Sequence, residues 1–418
     1  MTLRDQIQAQ IPGVLSDLKR LIAIESVSAD PAREPEVERS AQSIAQLLVD
    51  LRCPDVRVVR ADGGAPAVIG RFPPPEGMPT VCLYAHHDVQ PEGDPASWRT
   101  PPFVATELDG RLYGRGSADD KGGFAVHLAA LRAFDGKPPV GVTVFVEGEE
   151  EVGSPSLARL LEDHRAELAA DVFVIADSCN WAVGQPAFTT TLRGVAVCTV
   201  EVRTLDHALH SGVYGGVVPD ALTTLCRLLA TLHDDQGNVA IAGLGTASAP
   251  ALEYPTERLR AESGILDGVD WIGSGSFVER MWCKPAVSVI ALDATPVDKA
   301  SNTLIPVARA KISTRVAPGD DAAQALAALV AHLNDHVPWG AQLTVTGAGS
   351  AEPSVIDFSG PYAAAANAAF AEAWGVAPVF VGQGGTIPMV ADFGTVFPEA
   401  TILITAVGDP DSRAHGAN

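Results

Sequence analysis

The feature that most constrains this chain is a regular alternation, from residue 34 to 177, of unbroken apolar runs with stretches of helical period. Val37, Ala41, Ile44, Leu47, Leu48 and Leu51 recur at helical spacing, and strand-like runs follow at DVRVVR, AVIGRF and TVCLYA. Next come a helix in GGFAVHLAALRAF, a strand in GVTVFVEG, a helix in SPSLARLLEDHRAEL and a strand in DVFVIAD. Strands without polar alternation must be covered on both faces, so this order predicts an α/β fold with a mostly parallel mixed sheet clad in helices.

After residue 190 the texture changes. GVAVCTVEVRT alternates with period two, PDALTTLCRLLATL is helical, SVIALDA and ARAKISTRV look like half-exposed strands, DDAAQALAALVAHLNDH is helical, and AQLTVTG closes the series. One-sided strands with two helices predict a smaller α+β layer domain, residues 193–352, inserted into a first domain made of 1–192 and 353–418. From about 353 the alternation resumes with PYAAAANAAFAEAW, APVFVGQGG and ATILITAVG. Two domains also suit the length, because 418 residues exceed what a single core usually supports.

The N-terminal stretch places Ile7, Ile11, Val14, Leu15, Leu18 and Ile22 on one helix face and lacks the compact apolar core of a signal peptide. No run is long enough to span a membrane, and a cytoplasmic location is expected. A net charge of −22 excludes nucleic acid as a natural partner, since a phosphate backbone would be repelled. Six cysteines without a C-x-x-C pair, several inside apolar runs, predict free thiols in a reducing compartment.

Ligands of an open α/β sheet gather beyond the carboxyl ends of its strands. The unusual polar clusters fall at those ends: HHD (86–88) after TVCLYA, EGEEEVGS (147–154) after GVTVFV, Asp177 after VFVIA and RAHGAN beyond ATILITAVG. GRGSADDKGG (114–123) precedes a helix. Taken singly, each has an ordinary reading. Asp119 and Asp120 suit a helix start, the glutamates a solvated turn, Asp177 a cap and His415 a surface position. Together they would repel one another unless a cation neutralised them, and carboxylates with imidazoles suit zinc, manganese or cobalt. A phosphate loop is excluded, because the third glycine of the pattern would fall at Asp119 and two carboxylates would repel phosphate.

The motifs YAHHDVQP, GRLYGRGSADDKGG, EGEEEVGS, VIADS, LHSGVYGG and RAHGAN occur in the order found in M20 metallopeptidases. The chain resembles the carnosinase-like dipeptidase branch over nearly its whole length. The resemblance implies two divalent ions, Zn2+ or Mn2+ with Co2+ accepted. One ion would take His86, Asp177 and the bridging Asp119; the other would take Glu151, His415 and the same bridge. Asp88 would orient His86, in keeping with strand alternation that turns His87 the other way. Glu150 matches the general base. The inserted domain resembles a lid and dimerisation domain, in which His210 reaches the partner subunit's site in a homodimer. Arg315, in ISTRVAP, matches the arginine that grips the substrate carboxylate, and Thr386, in GGTIP, stands where relatives often have serine. Ala85 and Gly416 depart from the common glycine and serine.

The implied activity is cleavage of dipeptides or short peptides with free termini. Aspartate at position 177 goes with aminopeptidases and dipeptidases of the family, glutamate with carboxypeptidase-like and deacylase members. The alternative is an N-acyl or N-carbamoyl amino-acid amidohydrolase with the same metals. An inactive binding homologue is disfavoured, because Glu150 and every implied ligand are present.

Overall fold

A computed structural model describes residues 2–385 and 387–417. The chain divides into two compact units, one comprising Met1–Thr190, Ile356–Val381 and Pro388–Asn418, the other Thr191–Val355 and Gly382–Ile387. The short stretch Gly382–Ile387 reads in the sequence as part of the first domain, yet it packs with the second unit. There Gly382 lies so close to Trp282 that an added Cβ would meet its ring carbon at 3.0 Å.

The first unit is built on a mixed sheet. Its strands follow the order Asp55–Val59, Ala67–Phe72, Gly141–Glu147, Thr80–His86, Val172–Ile175, Thr401–Ile404 and Ala187–Leu192. The four strands from Gly141–Glu147 to Thr401–Ile404 are mutually parallel, while pairing at both flanks is antiparallel. The parallel centre is where the unbroken apolar runs predict it, and all seven residues of Gly141–Glu147 are buried.

Helix Glu34–Asp50 contributes Ala41, Ile44, Leu47 and Leu48 to a core shared with Val68, Phe124, Leu128, Val142, Val144 and Val146. Each Val, Leu, Ile or Phe side chain among them contributes roughly 1.5–3 kcal/mol when taken from water. Helix Leu3–Ile22 starts with a capping box between Thr2 and Asp5 and packs Val14, Leu18 and Ile22 against Ala125 and Ala129 of helix Lys121–Ala133. Ile11, expected on that face, is 41% exposed, because the helix makes contact through its C-terminal half. Helix Pro388–Val396, which the sequence reading passes over, inserts Phe393 among Tyr84, Phe145 and Phe173.

The second unit carries an antiparallel sheet ordered Ala286–Asp293, Val307–Val316, Gly194–Arg203 and Gln342–Ala351. Residues of Gly194–Arg203 alternate between buried and partly exposed, as its period-two sequence predicts. Its inner face packs Cys198, Val200 and Val202 against Leu225 and Leu228 of helix Ala221–Ala230 and Leu329 and Leu333 of helix Ala322–His336. Asp220 and Asp321 cap those helices. No described helix is long and apolar enough to cross a membrane, and all six cysteines are free thiols.

Candidate di-metal site

Parallel register brings the site together. In the first unit Thr80–His86 pairs with Gly141–Glu147 so that His86 lies opposite Glu147, and Tyr84 lies opposite Ile175 on the other side. Three strands pointing one way therefore deliver His86, the turn Glu150–Val152 and Asp177 to a single edge. Asp119 arrives from the loop that opens helix Lys121–Ala133.

The side chains of His86, Asp119, Glu150, Glu151, Asp177 and His415 converge. His86 Nε2 is 3.1 Å from Asp119 Oδ1 and 4.0 Å from Glu150 Oε2. His415 Nε2 is 3.3 Å from Asp119 Oδ2 and 3.2 Å from Glu151 Oε2. Asp119 thus lies between two imidazoles, one on each carboxylate oxygen. Donor atoms of His86, Asp119 and Glu151, and of His86, Glu150 and Asp177, lie within 4.8 Å of one another.

Asp88 is fully buried and works by hydrogen bonding. It accepts the backbone N–H groups of Glu150 (3.2 Å) and Glu151 (3.1 Å) and the hydroxyl of Ser28 (2.6 Å). His86 Nδ1 lies 3.0 Å from the Asp88 backbone carbonyl and 3.3 Å from Asp88 Oδ1, so this one residue orients both the imidazole and the glutamate turn. Gln90 clasps Glu151, donating from Nε2 to Oε2 at 2.8 Å and from its backbone N–H to Oε1 at 3.1 Å. Asp120 turns inward and accepts the His86 N–H at 3.2 Å. The Gly122–Gly123 pair follows from close approach: a Cβ on Gly123 would stand 2.1 Å from Asp120 Oδ1, and one on Gly122 2.3 Å from the Ser117 carbonyl. Each glycine costs about 1 kcal/mol of helix propensity, which the fit of this turn overrides.

His87 points away from the cluster, as strand alternation requires. It is buried with Nε2 2.9 Å from the Pro66 carbonyl, and burial lowers its pKa to about 4, so it stays neutral. His210 and Arg315 belong to the second unit. His210 is exposed at the end of Leu209–His210, its ring accepting the Gly212 N–H at 3.1 Å. Arg315 is half-buried on Val307–Val316; burial chiefly, and then the charge of Arg315, lower the pKa of Arg193. Thr386 lies outside the described residues.

The electrostatics fit a pair of cations. Burial raises Glu150 to about 8, with Asp177 and Glu151 adding to the rise, and raises Asp177 to about 6, with Asp119 and Glu151 contributing. Burial pushes Asp119 up as well, but hydrogen bonds to His415 and His86 outweigh it and hold that carboxyl below the usual range. The same contacts to Asp119 and Glu151 draw His415 up to about 10. Carboxylates this crowded claim positive charge wherever they find it, and oxygen and nitrogen donors without a thiolate suit zinc, manganese or cobalt.

Residues 82–418 match the peptidase family M20/M25/M40. The chain belongs to that family. It is accordingly a metallopeptidase, a peptide hydrolase that uses metal ions. Among curated relatives, the cysteinylglycine-S-conjugate dipeptidase of Corynebacterium striatum is 34% identical over 412 residues, covering 97% of this chain and 90% of the relative. The Beta-Ala-His dipeptidase of Homo sapiens is 27% identical over 438 residues, covering 96% and 85%. Human carnosine dipeptidase 1 shares the fold with a TM-score of 0.82 at 25% identity, over 100% of this chain and 94% of that one. The di-peptidase Dug1p of Saccharomyces cerevisiae has a TM-score of 0.82 at 24% identity, over 100% and 93%, and speaks for the fold alone.

Sequence reading missed Ser28, Gln90, Arg115 and Asp120. Gln90 lies inside YAHHDVQP, and Arg115 and Asp120 lie inside GRGSADDKGG, so those three had a signal; Ser28 had none, because it meets Asp88 across 60 positions.

Proposed function

We propose that this chain is a two-metal dipeptidase acting on dipeptides or short peptides with free termini. The observation that carries this reading is the placement of Asp119 between His86 and His415, with Glu150 beside them. His86 and Asp177 would hold one ion, Glu151 and His415 the other, and Asp119 both. Bound there, the ions would lower the pKa of water and polarise the scissile carbonyl.

Glu150 is the general base in this reading. Its carboxylate takes a proton from the attacking water and later delivers it to the leaving amine, a task that favours a carboxyl lifted toward neutrality. Asp88 holds the Glu150 and Glu151 amides and so keeps the base in reach. Arg315 would take the substrate carboxylate in its planar fork. His210, exposed in the second unit, would serve the partner subunit's site in a homodimer, a reading supported by exposed Val289, Ile290 and Leu292 on an edge strand. The Asp177 carboxylate and the relatives' names, cysteinylglycine-S-conjugate and Beta-Ala-His dipeptidases, favour dipeptides over acylated amino acids.

The test is metal-stripped protein given Zn2+ or Mn2+ and offered dipeptides, tripeptides and N-acyl or N-carbamoyl amino acids. Metal-restored dipeptide cleavage, lost in Glu150→Gln, is the expected result. Turnover of acylated amino acids alone would overturn the dipeptidase reading in favour of an amidohydrolase.

A further inference from the structure

Arg115 stands four residues before Asp119 in the GRGSADDKGG loop and is only 5% exposed. Its Nη2 donates to two carbonyls far apart in the chain, Pro91 at 3.2 Å and His415 at 3.1 Å. The guanidinium lies over the Trp98 ring at 5.2 Å, and Trp98 is itself fixed by donating Nε1–H to the Glu92 carbonyl at 2.8 Å. A flat cation resting on an aromatic face has a defined orientation, which a lysine ammonium would lack.

The two carbonyls matter because of what adjoins them. Pro91 follows Gln90, which holds both carboxylate oxygens of Glu151 and also donates to the Glu151 carbonyl at 3.1 Å. His415 carries the imidazole that meets Glu151 and Asp119. Its φ is +66° and its side chain is 60% exposed, with Arg413 also left-handed at +49°. A non-glycine turn of that kind persists only where outside contacts hold it. No such grip is needed by His86, whose place is set by sheet register.

We propose that Arg115 is the positioning residue of one half of the site. By gripping the Pro91 and His415 carbonyls with one Nη2 group, it sets Glu151 and His415 at the spacing that takes the second ion. The inference rests on the two-ion reading above. Arg115 touches neither ion in this account; it acts through the backbone on either side.

The experiment is calorimetric titration of metal-stripped, full-length protein with Mn2+, with electron paramagnetic resonance to distinguish a coupled Mn2+ pair from isolated ions. Wild type should take two ions. Arg115→Met should bind the first within about 2-fold of wild type and the second roughly 10–100-fold more weakly, with the coupled signal replaced by an isolated one. Arg115→Lys should recover part of that loss. Arg111→Met removes ties to Asp409 and Asp411 on the same C-terminal turn and should leave both ions in place. Equal affinity for both ions in Arg115→Met, equal weakening of both, or the same selective loss in Arg111→Met would overturn the proposal. Should Arg115→Met fail to fold, the ratio of the two affinities in Arg115→Lys decides: a wild-type ratio rejects it. A wild type that takes up one ion would sink the two-ion reading and this inference with it, whereas two ions insensitive to Arg115 would sink the inference alone.

Discussion

The two halves of the site are made in different ways. His86 and Asp177 sit at the ends of parallel strands, and the His86 side chain is 1% exposed. Glu151 and His415 sit on a short helical turn and on a left-handed loop near the C-terminus, where the His415 side chain is 60% exposed. The first half inherits its geometry from backbone pairing across a buried sheet. The second is assembled by side chains: Gln90 on Glu151 and Arg115 on the His415 carbonyl. Register fixes where a ligand's backbone lies, whereas a loop ligand rests on the side chains that tether it.

That contrast can be broken at graded points. Chelation should take peptide hydrolysis to background, and added Zn2+ or Mn2+ should restore it; persisting hydrolysis after verified removal would dissolve both halves at once. Glu150→Gln should lower kcat by roughly 10²–10⁴-fold while two ions still bind, read by metal analysis beside kinetics. Asp88→Asn should weaken both ions by about 10–100-fold, since Asp88 serves His86 and the Glu150 and Glu151 amides together. Gln90→Ala should weaken one ion only, and by less. Equal losses of both ions in Gln90→Ala would show that the halves are not independent.

A smaller effect concerns the rigid half and is a matter of stability. His127 lies beneath the site, buried, with Nε2 2.9 Å from the Tyr84 carbonyl two residues before His86. Burial depresses its pKa from 6.5 to about 4, so the folded chain binds fewer protons than the unfolded one in that range. Its contribution is intact above about pH 6.5 and is lost progressively as the pH falls toward 4, on the order of 3 kcal/mol in all. His127→Gln should therefore flatten the fall in Tm between pH 6.5 and 4 relative to wild type, both metal-stripped. An unchanged slope would mean that other groups carry the acid sensitivity.

Legibility in the sequence followed the same division. The strand-end residues could be placed because an apolar run followed by HHD, EGEEE or ADS says where a strand stops, and parallel strands stop together. His415 was placed by its motif alone, since nothing in the local pattern says which way a terminal loop folds. Gly122 and Gly123 carried no assigned role in the sequence, and in the fold they make room for Asp120 and the Ser117 carbonyl. The helix Pro388–Val396 was passed over, although its Phe393 fills the aromatic cluster beneath the sheet.

By itself the sequence determined the α/β class, the one-sided sheet of the second unit and the residues that could bear metal chemistry, because hydrophobic period and motif order are local properties of the chain. Tertiary structure alone decided that Asp88 would bind the Glu150 and Glu151 amides, that Ser28 and Gln90 would complete the ligand support, and that Arg115 would join Pro91 to His415. Those contacts span between 24 and 300 positions in the chain. A hydrogen bond is specified by distance and angle in space, and a linear sequence carries neither until the sheet has closed.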